Sequence, residues 1–186
     1  MKSEESDMFR QAITAEAVDR RALAHRREFG FSDDQKIDFM TLITKLKSRY
    51  SEFDYLRVPD SEWTIDAEAQ WDSEKKLIKL PEHVFCKANA GNPRSINTVL
   101  HEIGHALLGH KGILNRGPAG NLAEKYSASL RQMEREAKRY AASFLVPATE
   151  HNRSLTPAAL AQKYGISLQS AEFRSVEIGR LLSRGV

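Results

Sequence analysis

Apolar residues recur along this chain at helical spacing in several long stretches, and at every second position in one region between them. Phe9, Ile13, Ala17 and Ala22 predict a helix over 9–29, with Arg20, Arg21, Arg26 and Arg27 crowding its end as a solvated basic face and Gly30 stopping it. Phe39, Ile43, Leu46 and Tyr50 fall at i, i+4, i+7 and i+11 of a second helix, widened by Met40 and Leu42 and capped from the Ser32-Asp33-Asp34 cluster. After Ser51 the period shifts to two. Phe53–Val58, Trp63–Trp71 and Lys76–Leu80 then predict three short strands, with a turn at Pro59-Asp60-Ser61 and a hairpin at 72–75. Glu82–Ala90 is a short helix closed by Gly91.

The helical period returns with Ile96, Val99, Leu100, Ile103, Ala106 and Leu107, which share one face of a helix starting at Asn92-Pro93 and stopping at Lys111-Gly112. Asn97, His101, His105 and Leu108 share the opposite face. Gly112, Gly117, Pro118 and Gly120 predict a loop over 111–121, with Asn121 a candidate cap for the next helix. Ala137, Tyr140, Ala141, Phe144 and Leu145 mark that helix, which Pro147 ends. In the tail, Thr156-Pro157 opens a short helix, Gly165 stops it and Ser167 caps another, on which Phe173, Val176 and Leu181 are expected to face inward.

These elements predict an α+β fold: a mostly helical domain with a small three-stranded antiparallel sheet and a C-terminal hairpin of helix-turn-helix outline. The expected division is 1–150 for the main domain and 151–186 for the hairpin packed on it. Such a hairpin could enter a major groove with Gln169, Ser170 and Arg174, although packing on the core is its commoner use. Composition narrows the class. The 186 residues are 41% hydrophobic and 28% charged, as in a globular protein, and no apolar run approaches membrane-spanning length. The acidic start carries no apolar signal segment, and the lone Cys86, read as a small buried residue, has no disulfide partner, so a reducing cytoplasm is the expected compartment. A net charge of +3, with charges interspersed, argues only weakly for nucleic acid.

The chemistry concentrates in His101-Glu102-Ile103-Gly104-His105. Residues i and i+4 of a helix stand one above the other, so His101 and His105 can hold one metal ion. Glu102 lies roughly 100° further round, where it can reach a water on that metal and act as general base. Two imidazoles and a base in this spacing favour zinc. Gly104 leaves room for a substrate backbone or another helix. A catalytic zinc site wants a third protein ligand. His110, on a continuing helix, would point about 140° away from His105 and is read as a support behind the ligands. Glu134 lies on the apolar side of its helix, where a carboxylate is costly unless paired or metal-bound, and is the better candidate. Glu136, beside Arg135 and Arg139, reads as a solvated surface charge. His25, His83 and His151 are isolated. Tyr126 and Tyr140 could offer a hydroxyl to an oxyanion.

The segments His101-Glu-Ile-Gly-His-Ala-Leu-Leu-Gly-His110 and Glu134-Arg-Glu-Ala-Lys-Arg-Tyr-Ala-Ala-Ser-Phe-Leu-Val-Pro147 resemble the ImmA/IrrE family of bacterial and phage metallopeptidases. That family's second motif reads approximately E-x-x-A-[ND]-x-F-A-x-x-L-L-x-P. It lays its glutamate on Glu134, its alanine on Ala137 and its aromatic on Tyr140. The resemblance implies Zn2+ bound by His101, His105 and Glu134, with Glu102 as catalytic base. It also implies a protein substrate, a DNA-binding helix-turn-helix repressor, cleaved to release transcription in stress or mobile-element induction. Lys138 departs from the pattern: the family's Asn or Asp can accept a ligand histidine's N–H, and lysine cannot. That departure keeps a second reading in view, a regulatory protein that binds DNA or a repressor around a structural or inactive zinc site. If an edge strand presents the substrate, Leu77–Leu80 and Trp63–Ala67 are the candidates.

Overall fold

The computed structural model describes residues 12–115 and 128–183. Phe9, Asn121, Tyr126 and most of the loop expected over 111–121 lie outside them. Among the described residues the fold is α+β, with eight α-helices and one four-stranded sheet. The helices are α1 (Ala15–Glu28), α2 (Phe39–Arg49), α3 (Glu82–Asn89), α4 (Pro93–Leu108), α5 (Ala128–Leu145), α6 (Glu150–Ser154), α7 (Pro157–Tyr164) and α8 (Leu168–Leu182). The strands are β1 (Asp54–Val58), β2 (Gln70–Asp72), β3 (Leu77–Pro81) and β4 (Ile113–Asn115).

The sheet differs from the expected antiparallel meander. Its order is β1-β3-β2-β4, and β1 runs parallel to β3, Asp54 opposite Leu77 and Val58 opposite Pro81. Residues 59–69 carry the chain through a 3₁₀ turn at Asp60–Glu62 and set β2 down one strand away, so β3 returns between the two. The β2–β3 hairpin is as predicted, its turn tightened by Lys76 at φ 49 and by Lys75 N donating to Asp72 Oδ1 at 3.1 Å. The fourth strand, β4, falls inside the expected loop and pairs antiparallel with β2. Residues 63–67 form no strand and β3 is interior, so neither candidate is an edge strand; among the described residues the edges are β1 and β4.

Local signals set most helix ends. Thr14 accepts from Ala17 N and starts α1 at Ala15, later than the apolar spacing suggested. Asp38, not the 32–34 cluster, caps α2 by accepting from Thr41 N at 2.7 Å. Asn92 accepts from Ser95 N at 3.0 Å, and Pro93 occupies the first helical position of α4. The tail obeys its sequence signals: Thr156 and Ser167 cap α7 and α8, and Gly165 at φ 64 separates them.

Helix α4 is the centre of the molecule. It packs on α5 along one side and on α3 and the sheet along the other, so its histidine face is buried as well as its apolar face. Helix α1 covers the far side of α5. Two buried arginines bind this assembly. Arg26, expected on a solvated face, is fully buried; it donates to the carbonyls of Ser32 and Gln35 and to those of Phe144 and Leu145 at the end of α5. Arg174 of α8 donates to Val146 O at 2.9 Å and pairs with buried Asp19 of α1 at 3.0 Å. Asp19 also receives Arg139 of α5 at 2.8 Å and the Ser143 hydroxyl.

This network turns α8 from the expected face at two of its three positions, Phe173 and Val176, while Leu181 is buried as expected. Ala171, Arg174, Ile178 and Leu181 point inward, while Phe173 (69% exposed) and Val176 face solvent. Arg174, at 2% exposure, is withdrawn from the groove-reading role considered for it. Cys86 also departs from expectation. It is exposed, and a hydrogen bond to the Glu82 carboxylate pushes its thiol upward, away from nucleophilic use.

Candidate metal centre

The site forms where α4 crosses α5. Gly104 lets the helices meet: a Cβ there would stand 3.0 Å from Tyr140 Cδ1 and 3.2 Å from both Tyr140 Cβ and Cγ. The room Gly104 leaves is thus taken by another helix. Ala137 and Ala141 flank Tyr140 on α5 and are fully buried. The Tyr140 hydroxyl lies 3.0 Å from His25 Nδ1 of α1, and burial raises its pKa well above the usual tyrosine value. Tyr140 is therefore a packing surface beneath Gly104, with its buried hydroxyl turned to His25.

The close crossing brings Glu134 of α5 over the two histidines of α4. His101 Nε2 and His105 Nε2 are 3.0 Å apart. Glu134 Oε2 is 3.1 Å from the first and Glu134 Oε1 is 3.3 Å from the second. Both imidazoles are 1% exposed and the carboxylate 18%. Burial alone would raise the Glu134 carboxyl, but hydrogen bonds and charge from both histidines hold it well below the usual carboxylate range. Each ring nitrogen faces a different Glu134 oxygen, and one donor atom from each of the three side chains lies within 4.8 Å of the others. The three side chains could together hold a metal ion. Glu102, next to His101 on α4, is fully buried and stands outside the trio.

His110 does not continue α4. Gly109 adopts φ 71 and ends the helix three residues before the expected Gly112. Gly109 N donates to Ala106 O and His110 N to His105 O, the Schellman pattern, which folds His110 back over the last turn. Its Nδ1 comes to 2.7 Å from His105 Nδ1, and its backbone carbonyl accepts from Trp71 Nε1 at 3.1 Å. On its other side His110 Nε2 is 3.0 Å from Glu136 Oε2.

Glu136 is the residue that sequence reading misplaced. It is buried, at 5% exposure, where a surface charge was expected. Its second oxygen accepts from Ile13 N at 2.8 Å and Gln132 Nε2 at 2.9 Å. Burial would raise its pKa, but these donors and His110 hold it below the ordinary carboxylate value. Lys138 is exposed and lines a groove beside α8 with Arg135 and Phe173. The remaining histidines are elsewhere: His83 pairs with Asp60 at 2.7 Å, and His151 is exposed on α6.

Comparison with known proteins points the same way. The family model of peptidase M78, described as the IrrE N-terminal-like domain, matches residues 56–175 and so spans both helices of the site. No curated protein sequence matches the chain. Among solved structures, a Mycobacterium tuberculosis transcriptional regulator shares the fold with a TM-score of 0.50 at 14% identity. The alignment covers 84% of this chain but only 46% of the regulator, which is about twice as long as the part it shares.

Proposed function

Since the chain belongs to the peptidase M78 family of IrrE N-terminal-like domains, we propose that it is a zinc-dependent metallo-endopeptidase acting on a protein substrate. The observation that carries this reading is the convergence of His101, His105 and Glu134, with one donor atom from each within 4.8 Å of the others. Two neutral imidazoles and one carboxylate form a donor set that suits zinc and leaves a fourth position open. When bound, zinc supplies Lewis acidity toward a scissile carbonyl and toward an attacking water.

The chain's own side chains do the rest. His101 and His105 present Nε2 from successive turns of α4, and Glu134 supplies the negative charge from α5. Glu102, one residue from a ligand and shielded from bulk water, is the group proposed to take the attacking water's proton and pass it to the leaving amine. Family membership supports a DNA-binding repressor as the substrate class, and the structural likeness to a transcriptional regulator is compatible with it. The alternative of direct DNA binding loses its proposed basic contact, because Arg174 is buried against Asp19. No helix among the described residues is long and apolar enough to cross a membrane.

The test is to incubate the zinc-loaded protein and its Glu102→Gln variant with a repressor encoded beside it. A single cut by the wild type and none by a variant that still binds zinc is the expected result. Cleavage retained by Glu102→Gln would remove Glu102 from the mechanism. Zinc-independent, salt-sensitive retardation of DNA with no proteolysis would favour the binding role instead.

A further inference from the structure

We propose that His110 and Glu136 form a relay that orients and polarises His105 as a metal ligand. The inference rests on the metal reading above and extends it to two residues outside the ligand set. If His105 uses Nε2 toward the ion, its proton resides on Nδ1. The ring atom facing that Nδ1 at hydrogen-bond distance is His110 Nδ1, at 2.7 Å. His110 Nδ1 must then accept, which places His110's own proton on Nε2, 3.0 Å from Glu136 Oε2. The tautomers of both rings are thereby fixed in one sense, and a carboxylate stands at the end of the chain.

Each member is held in place. Gly109's left-handed turn fixes the His110 backbone, and Trp71 holds its carbonyl. Ile13 N and Gln132 Nε2 occupy Glu136 Oε1, which leaves Oε2 directed at His110. Both His110 and Glu136 are buried, so the polarisation is little screened by water. A carboxylate accepting from one imidazole, which in turn accepts from another, raises the basicity of the ligand nitrogen, as a directly bonded carboxylate does.

His110 is therefore a positioning residue, and its test must separate metal binding from folding. Apo protein would be prepared as wild type, His110→Leu, His110→Asn and Glu136→Gln. Each would be measured for zinc affinity by chelator competition and for apo stability by urea unfolding. A third readout is the exchange-protected imidazole N–H proton of His105 in 15N-labelled, zinc-loaded protein. His110→Leu, which offers no acceptor, is expected to weaken zinc by about 10–100-fold and to remove the protected proton. His110→Asn, whose amide oxygen can accept from His105, should recover part of that loss. Glu136→Gln should fall between wild type and His110→Leu while keeping the proton. Folded variants that all bind zinc within about twofold of wild type would overturn the relay and leave the metal reading standing. A wild type that takes up no zinc would overturn both.

Discussion

Replacing Gly104 by alanine tests whether the approach of α4 to α5 builds the site. The new Cβ would lie 3.0 Å from Tyr140 Cδ1 and 3.2 Å from Tyr140 Cβ and Cγ. Carbon pairs settle at about 3.5–4.0 Å, so the contact is short by roughly half an ångström. Tyr140 cannot swing aside: it is fully buried, meets His25 through its hydroxyl and stands 6.0 Å from the Phe144 ring. The helices must separate instead. Alanine gains about 1 kcal/mol over glycine within a helix, while overpacking costs about 1–3 kcal/mol, so the net effect on the apo protein is a loss of about 0–2 kcal/mol. Glu134 rides on the same helix as Tyr140, and metal bonds tolerate about 0.2 Å of displacement. Zinc binding should therefore suffer more than folding does. A further loss of about 1.4 kcal/mol in complementarity is about tenfold in affinity. Urea unfolding of the apo variant and chelator competition with zinc measure the two effects separately. A Gly104→Ala protein as stable as wild type, binding zinc equally well, would refute the argument that this close crossing positions Glu134.

Other consequences arise from the buried charges. Asp19→Ala takes from Arg174 and Arg139 the buried carboxylate they share and leaves both only Glu177, at 3.0 and 3.3 Å, so the protein should lose about 1.5–3 kcal/mol in urea unfolding. A change below about 1 kcal/mol would show that the network does not tie α1 to α5 and α8. His25 supplies a pH dependence. Burial lowers its pKa, opposed by Glu28 and assisted by Arg21, in a setting shared with Tyr50 and Tyr140. Below the ordinary histidine value of about 6.5 the unfolded chain takes up the proton more readily than the folded one, so stability is lost as pH falls through that value. His25→Gln should lose less stability than wild type between about pH 7.5 and about pH 5.5; parallel losses would exclude His25 as the source.

How much of this was legible depended on whether the governing contact was local. The tail could be read from Thr156, Pro157, Gly165 and Ser167 because caps and left-handed stops act within a few residues. The spacing of His101 and His105, and Glu134's place on an apolar stripe, pointed to residues that the fold brings together. The parallel pairing of β1 with β3 could not be read, since nothing in either strand records that β3 inserts between its predecessors. On α8 two apolar faces compete, and Asp19, a buried partner 155 residues away, draws the face carrying Arg174 inward. Glu136 was misplaced because its arginine neighbours suggested solvent, whereas α1 and α4 cover α5 from both sides. Gly109 directly before His110 is a left-handed stop, and reading it as the end of α4 turns His110 back onto His105.

The most direct test of the account is the zinc content of wild-type protein and of Glu134→Ala after dialysis against a weak chelator. One zinc per chain is expected in the wild type and almost none in the variant, with the apo forms equally folded. Equal zinc in both proteins would contradict the claim that α4 and α5 meet to bind a common ion.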